Sequence, residues 1–278
     1  MFFTVNKLII VMLFFPKKNV MITRSKVEVL LFALFLLILT GCTDRSKEFT
    51  LEGHTILLDS VNAPVKDSLQ EELIHQYRES LEADMNRVLV YSEHVMERGT
   101  PEGTLNNFVA DLVLDIGQDI YQPQDGKPID FCLLNYGGLR VPLPEGEITY
   151  GRVFELLPFE NEMVVITLSG EKTFQLFEYL AVASRGMPVS GVKLIINNEA
   201  PESILIQSQE FDSNRTYKIL TSDYLAGGGD SMSFFLQPLN YELLGKRVRD
   251  AIILHMQNVN ARGEKISAEL DQRISYAQ

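Results

Sequence analysis

Thr221–Ser231 reads TSDYLAGGGDS and follows directly on the strand-like run TYKILTS, Thr216–Ser222. Three consecutive glycines strip the backbone of side chains between Tyr224 and Asp230. Glycine has no Cβ, so such a backbone can turn sharply or let a ligand approach closely. Two readings of the stretch are open. It is a spare surface turn, or it is shaped so that a flat ligand lies on Tyr224 while Asp230 holds its hydroxyl groups.

Two other loops have the same character. LLNYGGLR, Leu133–Arg140, sets Asn135 and Arg140 around Gly137 and Gly138, and LPFEN, Leu157–Asn161, sets Phe159 and Asn161 after a helix-ending proline. Each follows a strand or a short helix, the usual scaffold for functional loops. Ahead of these loops, SLQEELIHQYRESLEADMN, Ser68–Asn86, carries Leu69, Leu73, Tyr77 and Leu81 at four-residue spacing, which predicts a helix with one apolar face. RVLVYSEHV predicts a strand, and TLNNFVADLVLDIGQDIY predicts a helix with Phe108, Leu112 and Ile116 inward. IDFCLLN predicts a buried strand in which Cys132 is a small apolar residue. TYGRVFELLPF gives a short helix stopped at Pro158, and NEMVVITL a strand. SGEKTFQLFEYLAVAS gives a helix capped by Ser169. GVKLIIN, SILIQS and TYKILTS predict strands and KRVRDAIILHMQNV a last helix. Strands and helices mix without strict alternation, so the expected class is α+β with a mixed sheet and packed helices.

Catalytic signatures are sparse. The four histidines, His54, His75, His94 and His255, form no Asp-x-His, His-x-His or Asn-His pair, so no metal site is expected. There is no Gly-x-Ser-x-Gly elbow and no phosphate loop ending in Gly-Lys-Ser/Thr. No catalytic residue is expected in this chain.

The N-terminus carries export signals. Arg24 and Lys26 precede an unbroken apolar run, Val29–Leu39, that ends in LTGC, Leu39–Cys42. A bilayer-spanning helix needs about 20 apolar residues, so this shorter run has the size of a signal-peptide core. LTGC resembles the lipobox of bacterial lipoproteins, which makes Cys42 the expected lipidation site. The expected divisions are a signal peptide over 1–42 (with 1–20 an over-extended start), a tether over 43–66 and a folded domain over 67–278. With Cys42 lipidated, Cys132 has no disulfide partner. Setting aside the five basic residues and one acidic residue of 1–42 leaves 20 basic and 36 acidic of the chain's 25 and 37, a net charge of −16. A chain this acidic repels phosphate backbones, so nucleic acid is not an expected partner.

Taken together, the three loops fit one ligand class. Aromatic rings stack on a planar base, an asparagine amide pairs with its edge, a carboxylate accepts the hydrogens of a vicinal diol, and an arginine fork grips phosphate or sugar oxygens. A base, a ribose and a phosphate make a nucleotide.

The order of these loops resembles the C-terminal domain of bacterial and animal 5′-nucleotidases. That family runs from a Leu-Gly-Asn helix start through Asn-Gly-Gly-Gly-Ile-Arg, Gly-x-Ile-Thr-Tyr and Leu-Pro-Phe-Gly-Asn to Asn-Tyr/Phe-Leu-Ala-x-Gly-Gly-Asp-Gly. Here the stretches TLNNFVAD, LNYGGLR, GEITYGRVFELLPFEN and SDYLAGGGDS stand in the same order. The resemblance covers Arg87–Arg273. It implies that Phe159 and Tyr224 stack on the base, that Asn161 meets the base edge and that Asp230 contacts the ribose hydroxyls. It further implies that Arg140 lies near ribose and phosphate, with Asn135 opening that loop, and that Gly137, Gly138, Gly228 and Gly229 shape the turns.

There are departures. Tyr136 stands where the family has glycine, which would bring a ring into the pocket. Glu160 replaces a glycine and would put negative charge near a phosphate path. Asn106 replaces the glycine of Leu-Gly-Asn, and in ERGTPEG, Glu97–Gly103, Arg98 and Glu102 remain while Thr100 stands for a second arginine. The family's metal ions and catalytic Asp-His pair belong to a separate metallophosphatase domain, and the stretch between Cys42 and Arg87 is too short to be one. The expectation is a nucleotide- or nucleoside-binding domain, exported and lipid-anchored to a bacterial membrane. It would serve a metal-dependent metallophosphatase carried on another chain, with no cofactor of its own. The alternative is a stand-alone nucleotide- or nucleoside-binding lipoprotein without hydrolytic activity.

Overall fold

The computed structural model describes residues 68–183 and 185–277, with positions 29, 31–33, 35, 53 and 55 ahead of them. Cys42, His54, the cleavage region and most of the stretch expected to be a tether lie outside the described residues. Lys66–Gln278 makes one compact unit.

Its centre is a mixed five-stranded sheet. In chain order the elements are α1 (Ser68–Met85), β1 (Val88–Ser92), α2 (Thr104–Ile120), β2 (Phe131–Leu133), β3 (Gly146–Thr149), α3 (Tyr150–Leu156) and β4 (Glu162–Ser169). Then follow α4 (Gly170–Val182), β5 (Val189–Ser190), β6 (Val192–Asn197), β7 (Ala200–Ile206), β8 (Gln209–Glu210), β9 (Thr216–Ser222), α5 (Asp223–Ala226), β10 (Asn240–Arg247), α6 (Val248–Ala261) and β11 (Ile274–Tyr276). The central order is β10-β4-β9-β2-β5. β9 runs antiparallel to β4 and parallel to β2. A four-stranded sheet, β11-β6-β7-β8, and a β1–β3 pair flank it. The α+β class expected from the sequence is what the structure shows.

The central strands read as continuous apolar runs because both faces of the sheet are buried. Side chains alternate along a strand. So Met163 and Val165 of β4, Cys132 of β2 and Leu220 of β9 enter one core with α2 and α6. Val164, Ile166, Phe131, Leu133 and Ile219 enter a second core with Leu176, Phe177 and Leu180 of α4. Burying each such side chain contributes about 1.5–3 kcal/mol. Phe108, Leu112 and Ile116 face the first core, as their spacing predicts. Cys132 is wholly buried, and burial pushes its thiol above the ordinary range, so it behaves as a small apolar residue. Ser169 caps α4 through Oγ, which accepts from the Lys172 N–H at 3.3 Å.

The apolar stripe of α1 is not covered within this unit: Leu73, Tyr77 and Leu81 are exposed. Spacing located the helix but says nothing about what packs on it. Among the described residues, no helix is long and apolar enough to cross a membrane.

Candidate functional site

The chain carries the site on the ends of three elements. β2 leads into a turn of 3-10 helix, Tyr136–Gly138, that presents Asn135 and Gly137 and leads on to Arg140. The Arg140 N–H donates to the Leu156 carbonyl at 2.8 Å, which ties this loop to the end of α3. α3 starts at Thr149, whose Oγ1 accepts from the Arg152 N–H at 3.2 Å, and it ends ahead of Pro158, so Phe159 and Asn161 are delivered to the same place. The Val248 N–H donates to the Asn161 carbonyl at 3.0 Å and fixes that segment against α6.

The glycine loop closes the site. Ser222 caps α5 by accepting from the Leu225 N–H at 3.3 Å. Asp223 Oδ1 accepts from the N–H groups of Tyr224 at 2.8 Å and Glu162 at 3.1 Å, which staples this loop to the start of β4. Gly228 has φ +86°, a left-handed conformation that glycine adopts without strain. At Gly229 a Cβ would lie 2.5 Å from Cζ of Tyr224, so only glycine lets that ring fold back over the turn. The Tyr224 hydroxyl donates to Asp230 Oδ1 at 2.8 Å and accepts from the Asp230 N–H at 3.2 Å. Its hydrogen bond to the carboxylate holds the phenol proton above its ordinary pKa.

Asn135, Gly137, Arg140, Phe159, Asn161, Tyr224 and Asp230 line one cavity of about 290 Å³. All six side chains singled out from the sequence therefore converge, although up to 95 residues separate them in the chain. Phe159 and Tyr224 are about half exposed, at 48% and 45%, so both rings are open to a guest. Among the described residues, Arg140 Nη1 donates to the Gly137 carbonyl alone, at 3.3 Å. The arrangement can bind a flat, hydroxylated, anionic molecule: rings for a base, amides for its edge, a carboxylate for a diol and a guanidinium for an anion.

Two sequence expectations change. Tyr136 does not line the cavity; it packs against the second core, with the guanidinium carbons of Arg98 and Arg185 at 4.5 and 5.6 Å from its ring centre. Arg98 is engaged there, donating to the Tyr136 carbonyl at 3.5 Å. Glu160 also stays off the cavity, pairing with Arg247 at 3.2 Å and Arg249 at 3.5 Å, so its charge is compensated locally.

The histidines are scattered. His75 meets Glu79 on exposed α1, His94 Nε2 lies 2.9 Å from the Ala268 carbonyl, and His255 packs edge-on against Phe108. Among the described residues, no group of three or more His, Cys, Asp or Glu is placed to hold a metal ion. Sequence reasoning missed Tyr179, whose hydroxyl donates to the Asp230 carbonyl at 3.1 Å. It sits in α4 with no motif around it, and no signal marked it.

The profile of the family described as 5′-nucleotidase, C-terminal domain, matches residues 87–237. The chain belongs to this family. Among curated relatives, the apyrase of Tabanus yao is 24% identical over 225 residues, 72% of this chain and 40% of its own length. Cell wall protein Lmo0130 of Listeria monocytogenes is 24% identical over 191 residues, 63% of this chain and 24% of its own length. The 5′-nucleotidase precursor of Thermus thermophilus superposes with a TM-score of 0.63 at 22% identity, covering 75% of this chain and 43% of that one, which establishes the shared fold. The chain thus spans less than half the length of these relatives.

Proposed function

We propose that this domain recognises the nucleoside part of a nucleotide for a 5′-nucleotidase-type phosphohydrolase working outside the cytoplasm. Family membership supports a nucleotidase-type substrate-binding domain. The observation that carries the proposal is the convergence of Asn135, Arg140, Phe159, Asn161, Tyr224 and Asp230 on one cavity. In this reading Phe159 and Tyr224 stack on the base, Asn161 reads its edge, Asp230 accepts the ribose diol, and Arg140, with Asn135, faces ribose and phosphate.

The hydrolytic metal centre is supplied by a separate metallophosphatase chain, and the uncovered stripe Leu73, Tyr77 and Leu81 of α1 is a surface on which such a partner can dock. Export and a lipid anchor at Cys42 rest on the run Val29–Leu39 and LTGC, and a relative named as a cell wall protein is in keeping with export.

A second reading, a nucleoside- or nucleotide-binding lipoprotein without a hydrolytic partner, draws on one observation. Arg98 is turned to Tyr136, which leaves Arg140 as the cation lining the cavity. Calorimetric titration of adenosine and AMP into the full chain, beside an Asp230→Ala/Tyr224→Ala double variant, tests the site. Binding that the double variant loses supports recognition, and AMP binding tighter than adenosine favours the hydrolase reading. No binding of either at millimolar concentration contradicts both readings.

A further inference from the structure

Asp230 occupies an unfavourable backbone position. Its φ is +51° and that of Ser231 is +63°, both left-handed and neither a glycine. Such a conformation costs energy and persists only where the surroundings over-determine it. The turn's own backbone bonds, from Gly228 N–H to the Leu225 carbonyl at 2.8 Å and from Met232 N–H to the Gly229 carbonyl at 3.0 Å, bracket Asp230 without touching its carbonyl. That carbonyl is held from outside the loop, by the Tyr179 hydroxyl at 3.1 Å.

Tyr179 can do this because its ring is fixed. It lies on α4, half-buried, and packs edge-to-face on Phe234 at 5.7 Å, while Phe234 packs on Phe235 at 4.7 Å. Two phenols therefore hold one aspartate from two sides. Tyr224 takes the Oδ1 atom and Tyr179 takes the backbone. The other carboxylate oxygen has no partner among the described residues, and Asp230 lines the cavity.

We propose that Tyr179 is a positioning residue for ribose recognition: its hydroxyl locks the backbone of Asp230 so that the free carboxylate oxygen stays aimed at the sugar hydroxyls. This rests on the nucleoside reading of the cavity and adds to it the residue that sets the preference for ribose over sugars lacking the diol. Burial and the neighbouring Asp230 hold the Tyr179 phenol above its ordinary pKa, so it remains a donor across the physiological range. Without that hydroxyl the left-handed turn relaxes and the carboxylate swings, while Phe159, and Tyr224 on the α5 turn that Asp223 pins to β4, keep their place.

The test uses the full chain and the tightest binder among adenosine, guanosine, cytidine and uridine, each compared by calorimetry with its 2′,3′-dideoxy counterpart. The wild type prefers the ribonucleoside, and Asp230→Ala sets the floor at which that preference is gone. Tyr179→Phe keeps the ring on Phe234. It is expected to weaken ribonucleoside binding about tenfold, the effect of losing one ribose hydroxyl's hydrogen bond to the carboxylate, and to leave dideoxynucleoside binding unchanged. A Tyr179→Phe variant that keeps the wild-type preference, or that weakens both ligands in equal proportion, overturns the proposal. A wild type that binds no nucleoside, or shows no preference for ribose, overturns the reading of the cavity itself and the proposal with it. That failure is seen in the wild-type arm alone, whereas failure of the Tyr179 role leaves the wild-type preference standing.

Discussion

The two ends of β9 show how one strand can serve opposite purposes. At its start Lys218 is buried, and its ammonium donates to Asp125, to the Tyr121 hydroxyl at 2.9 Å and to the Lys127 carbonyl at 3.2 Å. Tyr121 in turn donates to Glu242 at 2.8 Å, and Asp130 Oδ2 accepts from the Lys218 N–H at 2.7 Å. Burial alone would lower the pKa of Lys218, but its bonds to Asp125 and Tyr121 outweigh that and hold it above the ordinary range. The three ammonium protons of Lys218 thus all have acceptors within the protein, although Asp125, Lys127 and Asp130 beside it also line an open cavity of about 710 Å³. At the other end of β9, Arg140, Asn135 and Asn161 stand around the cavity with few or no protein partners, beside two half-exposed rings. These polar groups are half-buried or exposed and open to solvent; what sets this end apart is that they converge with two rings on one concave surface, the usual form of a ligand site.

The contrast can be broken at either end. Tyr224→Ala removes a stacking ring and the donor to Asp230. Ribonucleoside affinity should fall about 10–100-fold by calorimetry, with thermal stability nearly unchanged. Lys218→Met should do the reverse. It leaves Asp125, Tyr121 and the Lys127 carbonyl without their donor, lowering stability by about 1–3 kcal/mol in denaturant titration while nucleoside affinity stays at the wild-type value. Gly229→Ala drives a Cβ into the Tyr224 ring and should cost about tenfold in affinity, with an intact fold by circular dichroism.

The smallest effect is one of pH. His255 sits outside both ends, against Phe108, and burial lowers its pKa, opposed by Asp115 and assisted by Arg262. The unfolded chain then binds the proton more readily than the folded one. Stability is therefore full above the ordinary histidine pKa of about 6.5 and declines as pH falls from there toward the lower folded value. A His255→Gln variant should flatten that decline in melting curves recorded between about pH 7.5 and 5.5. The raised pKa of Asp115 acts with the opposite sign but at lower pH, nearer the carboxylate range.

Much of the fold is legible in the sequence because both faces of the central sheet are buried. Strands such as NEMVVITL and TYKILTS then read as unbroken apolar runs. β10 was not legible. Its sequence NYELLGKR mixes exposed Tyr241 and Leu243 with polar residues, and a register shift accompanied by Gly245 at φ +65° interrupts its pairing with β4. The apolar stripe of α1 was legible as a helix from its four-residue spacing. At the site, motif order pointed to the six lining residues, but distance was beyond it. Tyr136 and Glu160 look intrusive in the sequence, yet Arg98 and Arg185 take the first and Arg247 and Arg249 take the second. Tyr179 was invisible because a tyrosine on a half-buried helix face looks the same whether its hydroxyl is idle or anchors a loop.

We propose that the open end of β9 is a nucleoside clamp. A crystal structure of the chain soaked with AMP tests it most directly. The base is expected against Phe159 and Tyr224, the ribose hydroxyls on Asp230 and the phosphate toward Arg140. AMP seated elsewhere, with those four side chains bare, would contradict it.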